Sequence, residues 1–499
     1  MGKQFDQLKA RLNEISDLNH AASLLGWDQE TYMPPGASKG RSEQLGTLSK
    51  LSHAMFTDPE TEQLLKRAGA EAGIAKSAKK IAIVNVAMRD YEQARRVPSE
   101  FVAEIARANS QATHAWIEAR KKSDFGLFAP WLKKNFELAK RLADYLGYQD
   151  HVYDALLDQY EPGMKTAEVV RIFSDLRNQT VPLVKTIVAH RDRVSDDCLH
   201  GHFDKHTQES FAKTVAAQLG YDFNRGRADY TAHPFCAHFG IDDVRITTRT
   251  DETFFNTMFF SVMHEVGHAM YEQGVSYDYE RTPTGTGCSL GLHESQSRMW
   301  ENLVCRSRES WLYFYPKLCE VLPGFKDVPF ATFYKAINKV EPSLVRIEAD
   351  EVTYNLHIMV RFEMETALLE GKLKIKDVPE AWNEKYRSYM GLIPTNDAVG
   401  CLQDIHWSSG LIGYFPTYTL GNLISVQLFE SAQKDIPDLS QQFMRGEFQS
   451  ILMWMRKHVH QHGRRFLPNQ LIKRATGKEL SAKPYIKYLF RKFSDVYDL

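Results

Sequence analysis

Thr253-Phe254-Phe255-Asn256-Thr257-Met258-Phe259-Phe260-Ser261-Val262-Met263-His264-Glu265-Val266-Gly267-His268 is the stretch on which the reading of this chain turns. Its first eleven residues carry no charge, and their apolar content predicts a buried helix. Two histidines and a glutamate at the end of such a helix are costly to bury without partners. At 3.6 residues per turn His264 and His268 share a face, so both imidazoles can meet one ion while Glu265 stands beside it. A metal supplies the partner, and H-E-x-x-H on a helix is the pattern of zinc hydrolases of the zincin type, with the glutamate as general base. The same five letters also occur by chance on ordinary helix surfaces; the charge-free flank argues against that here.

A catalytic zinc site takes three protein ligands and leaves a fourth position open, so the two histidines are one ligand short. Glu294, in His293-Glu294-Ser295-Gln296, follows His268 by 26 positions. That is room for the helix to end, the chain to turn and a second helix to return. Gly274 can stop the first helix, and Thr282-Pro283-Thr284-Gly285-Thr286-Gly287 cannot continue it. The expected ligands are therefore His264, His268 and Glu294, with His293 as the rival third ligand. They would hold one divalent ion per chain, zinc in preference to cobalt or manganese.

The 499 residues are 43% hydrophobic, enough to bury a large core. Lys plus Arg number 62 and Asp plus Glu 63, a net charge of −1, which argues against a nucleic-acid surface. Cys198, Cys236, Cys288, Cys305, Cys319 and Cys401 lie far apart, without a C-x-x-C pair, and fit a reducing cytoplasm. The N-terminus runs into a charged amphipathic helix rather than the apolar core of a signal peptide. Residues Ser408 to Phe429 are uncharged over a membrane-like length but contain Pro416, Asn422 and Gln427, and read as a buried wall of the active site, so no membrane association is expected.

Helical patterning dominates: Phe5 to Leu25, Ser38 to Leu51, Ala78 to Arg95, Ser99 to Lys121, Ala129 to Leu146, Thr166 to Arg191, Thr207 to Leu219 and most of Thr332 to Gly371. The clearest strand is Asp243-Val244-Arg245-Ile246-Thr247-Thr248-Arg249-Thr250. The fold class expected is a helix-dominated, zincin-like body with a small β-sheet. It forms one catalytic unit over 1–499, with the N-terminal helices, about 1–75, as a movable cover.

Several further segments, taken with these, resemble the carboxypeptidase Taq family of metallocarboxypeptidases. They are Trp27-Asp28-Gln29-Glu30-Thr31-Tyr32-Met33-Pro34, His233-Pro234-Phe235, Val345-Arg346-Ile347-Glu348-Ala349-Asp350 (similar to the family's I/V-R-x-x-A-D) and Gly400-Cys401-Leu402-Gln403-Asp404-Ile405-His406-Trp407 (similar to G-x-x-Q-D-x-H-W). The resemblance spans nearly the full chain. It implies a long central substrate groove, a homodimer, and removal of single residues from peptide C-termini with broad specificity. H-E-x-x-H alone fits endopeptidases and aminopeptidases equally well.

Peptide hydrolysis needs a nucleophile, a proton for the leaving amine and donors for the developing oxyanion; Glu265 serves the first two tasks as base and shuttle. For the third, His406 and Tyr414 are the candidates, because His406 to Phe415 resembles a stretch of angiotensin-converting enzyme, a distant zincin relative, in which a histidine and a tyrosine contact the substrate carbonyl. Tyr418 competes with Tyr414, and both tyrosines also read as core aromatics.

The terminal carboxylate calls for a guanidinium fork. Arg346, inside the family motif, is the first candidate, although Asp350 at i+4 could hold it in a helix salt bridge. Arg245 and Arg249 come next, with Asp243 as a simple strand partner for Arg245. The strand from Arg245 to Thr250 is also expected as an edge strand that binds extended peptides through its main chain. His233 reads as a site residue or a buried structural one, the structural reading being preferred. Two other functions fit fewer of these features: an oligopeptidase cutting internally, and a noncatalytic helical protein with a structural metal, which gives Glu265 no role.

Overall fold

The charge-free stretch forms a helix, Phe255–Glu272, whose apolar side is filled by aromatic rings. Phe255 and Phe259 stack on each other at 5.5 Å and meet Trp311, while Phe255 also packs on Phe325 and Phe333. Fully burying such a ring stabilises a fold by about 1.5–3 kcal/mol. These positions are therefore the cement of the metal helix. The helix ends where Gly274 was expected to stop it, and a Cβ at Gly274 would sit 2.6 Å from His460 Nδ1.

The computed structural model describes residues 2–71 and 76–499, so Met1 and the end of the expected 1–75 cover lie outside the described residues. The chain divides into two compact units, each assembled from three separate stretches. The first holds Met1–Arg95, Asp197–Ile337 and Leu428–Lys478; the second holds Arg96–Asp196, Asn338–Gln427 and Glu479–Leu499.

In the first unit, the helices Lys3–Thr31, Pro59–Ala70 and Ala78–Arg96 share a core that includes Phe5, Leu8, Leu65, Ile83 and Tyr91 together with Val275 and Tyr279 from the segment after the metal helix. The helix Ser38–Thr57 contributes only Ser52 to the buried set. A three-stranded sheet lies beside the metal helix: β1 (Ala228–Tyr230), β2 (Cys236–His238) and β3 (Val244–Thr248), in the order β1-β3-β2. β1 pairs parallel to β3, Ala228 opposite Ile246, and β2 pairs antiparallel, Ala237 opposite Arg245. β3 is thus the central strand, not the edge expected from its sequence. Both its edges are consumed by neighbours, and the antiparallel edge of the sheet is β2.

The second unit is built on Ser99–Lys122, Phe125–Leu146, Thr166–Ala189, Tyr354–Leu369, Val378–Met390 and Lys483–Tyr497. Phe362 anchors its middle, edge-on to Tyr153 and Phe173. The continuous helix expected over most of 332–371 is broken. Helices Phe330–Ala336 and Tyr354–Leu369 flank an irregular stretch in which Arg346–Glu348 makes one 3-10 turn. Asp350 explains the break locally: its carboxylate accepts from the backbone N–H groups of Glu341, Val352 and Thr353 and from the Thr353 hydroxyl. Those side-chain bonds compete with a helix ladder. The i,i+4 pair of Arg346 with Asp350, the alternative to a role in substrate binding, is therefore not formed, and Arg346 pairs with Asp404 instead.

Candidate metal and catalytic centre

Among the described residues one group of side chains could hold a metal ion, His264, His268 and Glu294. The first two come from the metal helix and the third from the helix Leu290–Arg298, which packs closely against it. Gly267 makes that approach possible: a Cβ there would lie 2.5 Å from Ser297 Cα and 2.6 Å from Gln296 O, so only hydrogen fits. Ligand atoms held tetrahedrally about 2.1 Å from a zinc ion stand about 3.4 Å apart. Glu294 Oε2 is 3.4 Å from His268 Nε2 and 3.7 Å from His264 Nε2, so the three donors fit an ion of that size.

A second layer fixes each ligand. Arg298, one helical turn past Glu294, donates from Nε to Glu294 Oε1 at 2.7 Å and leaves Oε2 facing the histidines. It also donates to Glu301 Oε2, which accepts from His264 Nδ1 at 2.9 Å. Glu301 sits on a π-helical turn, Met299–Val304, that continues the Glu294 helix. His293, the rival ligand, is not in the ion-holding group. Its Nδ1 lies 2.6 Å from His268 Nδ1, and its Nε2 lies 2.8 Å from Glu272 Oε1.

Electrostatics sort the acids of this centre into two kinds. Against burial, which would raise them, Arg298 and the histidines hold the Glu294 and Glu301 carboxyls far below the ordinary range. Glu265 is different: burial, opposed by His264 and reinforced by Glu294, pushes its carboxyl up to about 7. A buried carboxyl near neutrality is suited to take and return a proton at physiological pH.

Of the other candidate residues, Arg346, His406, Tyr414 and Tyr418 belong to the second unit and Arg245 to the first. His406 Nε2 lies 3.1 Å from the Tyr418 hydroxyl, and the rings of His406, Tyr414 and Tyr418 adjoin one another at 5.4–6.0 Å. Arg346 lies over the Tyr418 ring at 5.0 Å. Both tyrosines are half-buried rather than sealed in the core. Burial, opposed by Asp404 and aided by Arg346 and Arg361, pushes His406 down to about 3, so its ring is neutral.

Arg346 donates to Asp404 from Nε at 2.9 Å and to the Tyr354 hydroxyl at 3.1 Å. Arg245 is bound bidentately by Asp243, both contacts at 2.8 Å, and lies over Trp27, so the strand partner that its sequence offers is the one it takes. Arg298, Glu301, Glu272 and Asp404 were missed by sequence reasoning. Arg298 was readable as an i,i+4 partner of Glu294; Asp404 stood inside a quoted motif.

Residues 7–493 match the carboxypeptidase Taq (M32) metallopeptidase family. The thermostable carboxypeptidase 1 of Thermus thermophilus is 43% identical to this chain, covering 97% of each, and carboxypeptidase 1 of Bacillus subtilis is 39% identical, covering 99% of this chain and 98% of its own. The crystal structure of an M32 carboxypeptidase from Deinococcus radiodurans R1 superposes with a TM-score of 0.97 at 40% identity, covering 99% of this chain and all of that one. The chain belongs to the carboxypeptidase Taq (M32) family and is a metallocarboxypeptidase, a peptide hydrolase.

Proposed function

We propose that this chain removes single residues from peptide C-termini with broad side-chain tolerance, using Glu265 as general base. The observation that carries the reading is the buried Glu265 carboxyl, which follows His264 directly on a helix face where His264, His268 and Glu294 converge at ion-coordinating distances. These three residues would hold the divalent ion, zinc by the nitrogen-rich donor set. When bound, the ion supplies Lewis-acid polarisation of the scissile carbonyl and acidifies water. Glu265 takes the proton from the attacking water and delivers it to the leaving amine. His406 and Tyr414, or Tyr418 in its place, donate to the oxyanion, and preorganised donors of this kind contribute about 3 kcal/mol each. Arg346 receives the terminal carboxylate.

Main-chain pairing of an extended peptide falls to an edge strand rather than to the central β3, and of the two edges, β1 and β2, we assign it to the antiparallel one, Cys236 to His238. Pairing through the backbone reads no side chain, which supports broad specificity. The helices Lys3–Thr31 and Ser38–Thr57, with few buried residues beyond Phe5, Leu8, Leu12, Ile15 and Trp27, are proposed as the cover. None of the six cysteines forms a disulfide, which supports a cytoplasmic setting. No helix among the described residues is long and apolar enough to cross a membrane. A homodimer is proposed from the family resemblance and is checked by light scattering.

The test is a peptide and its C-terminally amidated twin, each incubated with and without chelator and followed by mass spectrometry. Stepwise shortening of the free acid alone, abolished by chelator, is expected. Equal internal cleavage of both peptides would replace this reading with an oligopeptidase.

A further inference from the structure

We infer that His293 and Glu272 form a relay behind the metal centre that fixes the tautomer of His268, which makes His293 a positioning residue rather than a ligand. A carboxylate can only accept, so the 2.8 Å contact requires His293 to donate from Nε2 to Glu272 Oε1. A neutral His293 then has a lone pair on Nδ1. The 2.6 Å contact between the two Nδ1 atoms makes His268 the donor, and His268 must present an unprotonated Nε2 on the side of Glu294 Oε2. That is the form a metal requires. His264 reaches the same state by another route, donating from Nδ1 directly to Glu301.

The far end of the relay is anchored on three sides. Glu272 Oε1 also accepts from the Thr286 hydroxyl at 2.8 Å and from the Gly287 N–H at 3.1 Å. The His293 ring is walled by Tyr271 at 5.2 Å, and a Cβ on Gly287 would lie 2.8 Å from His293 Cδ2. Thr282-Pro283-Thr284-Gly285-Thr286-Gly287 therefore does more than turn the chain. It supplies the donors that hold Glu272 and the missing side chain that lets His293 stand behind His268.

This inference rests on His264, His268 and Glu294 being the metal ligands, and its test reads metal binding rather than peptidase activity. Zinc affinity is measured by competition with a chromophoric chelator for the parent, His293→Leu, His293→Gln and Glu272→Gln. Partners that orient a ligating histidine typically contribute 10- to 100-fold in metal affinity. His293→Leu is expected to lose about that factor. His293→Gln, whose amide can accept from His268 and donate to Glu272, should recover much of it. Glu272→Gln keeps an oxygen for all three donors and removes only the charge, so a smaller loss in the same direction is expected, and this variant serves if His293→Leu does not fold. Parental zinc affinity in folded His293→Leu, or in folded Glu272→Gln, overturns the relay. A parent chain that takes up no zinc defeats the ligand assignment instead.

Discussion

Asp404 is shared between two guanidinium groups: Oδ1 accepts from Arg346 Nε at 2.9 Å, and Oδ2 accepts from Arg361 Nε at 2.7 Å. Arg361 is completely buried and also donates to Gln403 Oε1 and to the His357 carbonyl. One carboxylate thus pairs with and aims two cations, and against burial, which would raise it, the Arg pair holds its pKa far below the ordinary range. Removing it in Asp404→Ala strands both guanidinium groups in a low-dielectric interior. A loss of about 3–5 kcal/mol of stability is expected, the cost of breaking a buried pair. Denaturant unfolding measures it; a loss below 1 kcal/mol, the scale of exposed pairs, would refute the picture.

Arg346→Ala is a gentler change, since Asp404 keeps Arg361. If Arg346 receives the terminal carboxylate, kcat/KM for free-acid peptides should fall by about 2–5 kcal/mol while amidated peptides lose little. The ratio of the two rates is the quantity to read. An unchanged ratio in a folded, metal-loaded variant assigns the carboxylate to another cation.

Glu265→Gln keeps the size of the side chain and removes its basicity. Metal content should stay at the parental level, and kcat should fall by about 10²–10⁴-fold. A near-parental kcat would remove the general-base role.

Zinc at a hundred times its dissociation constant should stabilise the parent by about 2.7 kcal/mol over the chelated chain. Glu294→Ala should lose that increment along with its metal. Full metal content in this variant would show that Glu294 is not a ligand and would place His293 under renewed scrutiny.

Glu365 predicts a pH dependence of stability. Its carboxylate accepts from the Tyr153 hydroxyl, the Trp407 indole N–H and the Gly413 N–H, yet no cation among the described residues bonds to it, and burial pushes it up to about 7. A carboxyl whose pKa is raised on folding makes the native state bind more protons than the unfolded one. Its stabilising contribution is complete below about pH 4.5 and fades as pH rises through about 7, a change of about 3 kcal/mol. Unfolding free energies of the parent and Glu365→Gln should therefore converge or cross as pH rises across this window. Parallel curves would exclude the assignment.

The local features were legible. Charge-free Phe255–Met263 announced a buried helix, the His264–His268 spacing announced an ion, and the Pro and Gly run 282–287 announced the turn that returns Glu294. Features set by distant residues were not legible. β3 looked like an edge because its partners, β1 and β2, are three residues each, too short to leave a pattern of their own. Arg346 looked helical because nothing near it in sequence shows that its partner is Asp404, 58 positions on. The interleaving of the two units was likewise hidden, since no linker composition marks the crossings at Arg96, Asp197, Asn338, Leu428 and Glu479.

The bare Cα of Gly267, pressed against the backbone of Gln296 and Ser297, changes how the motif should be spelled. In H-E-x-x-H the fourth letter is treated as free, but here any side chain would act as a wedge between two helices, and the helix it would lift is the one that carries Glu294. A single methyl group, chemically inert and pointing away from the ion, would pull one corner out of the coordination triangle. For this chain the code is H-E-x-G-H, and under the proposed ligand set its glycine is as much a condition of metal uptake as the two histidines.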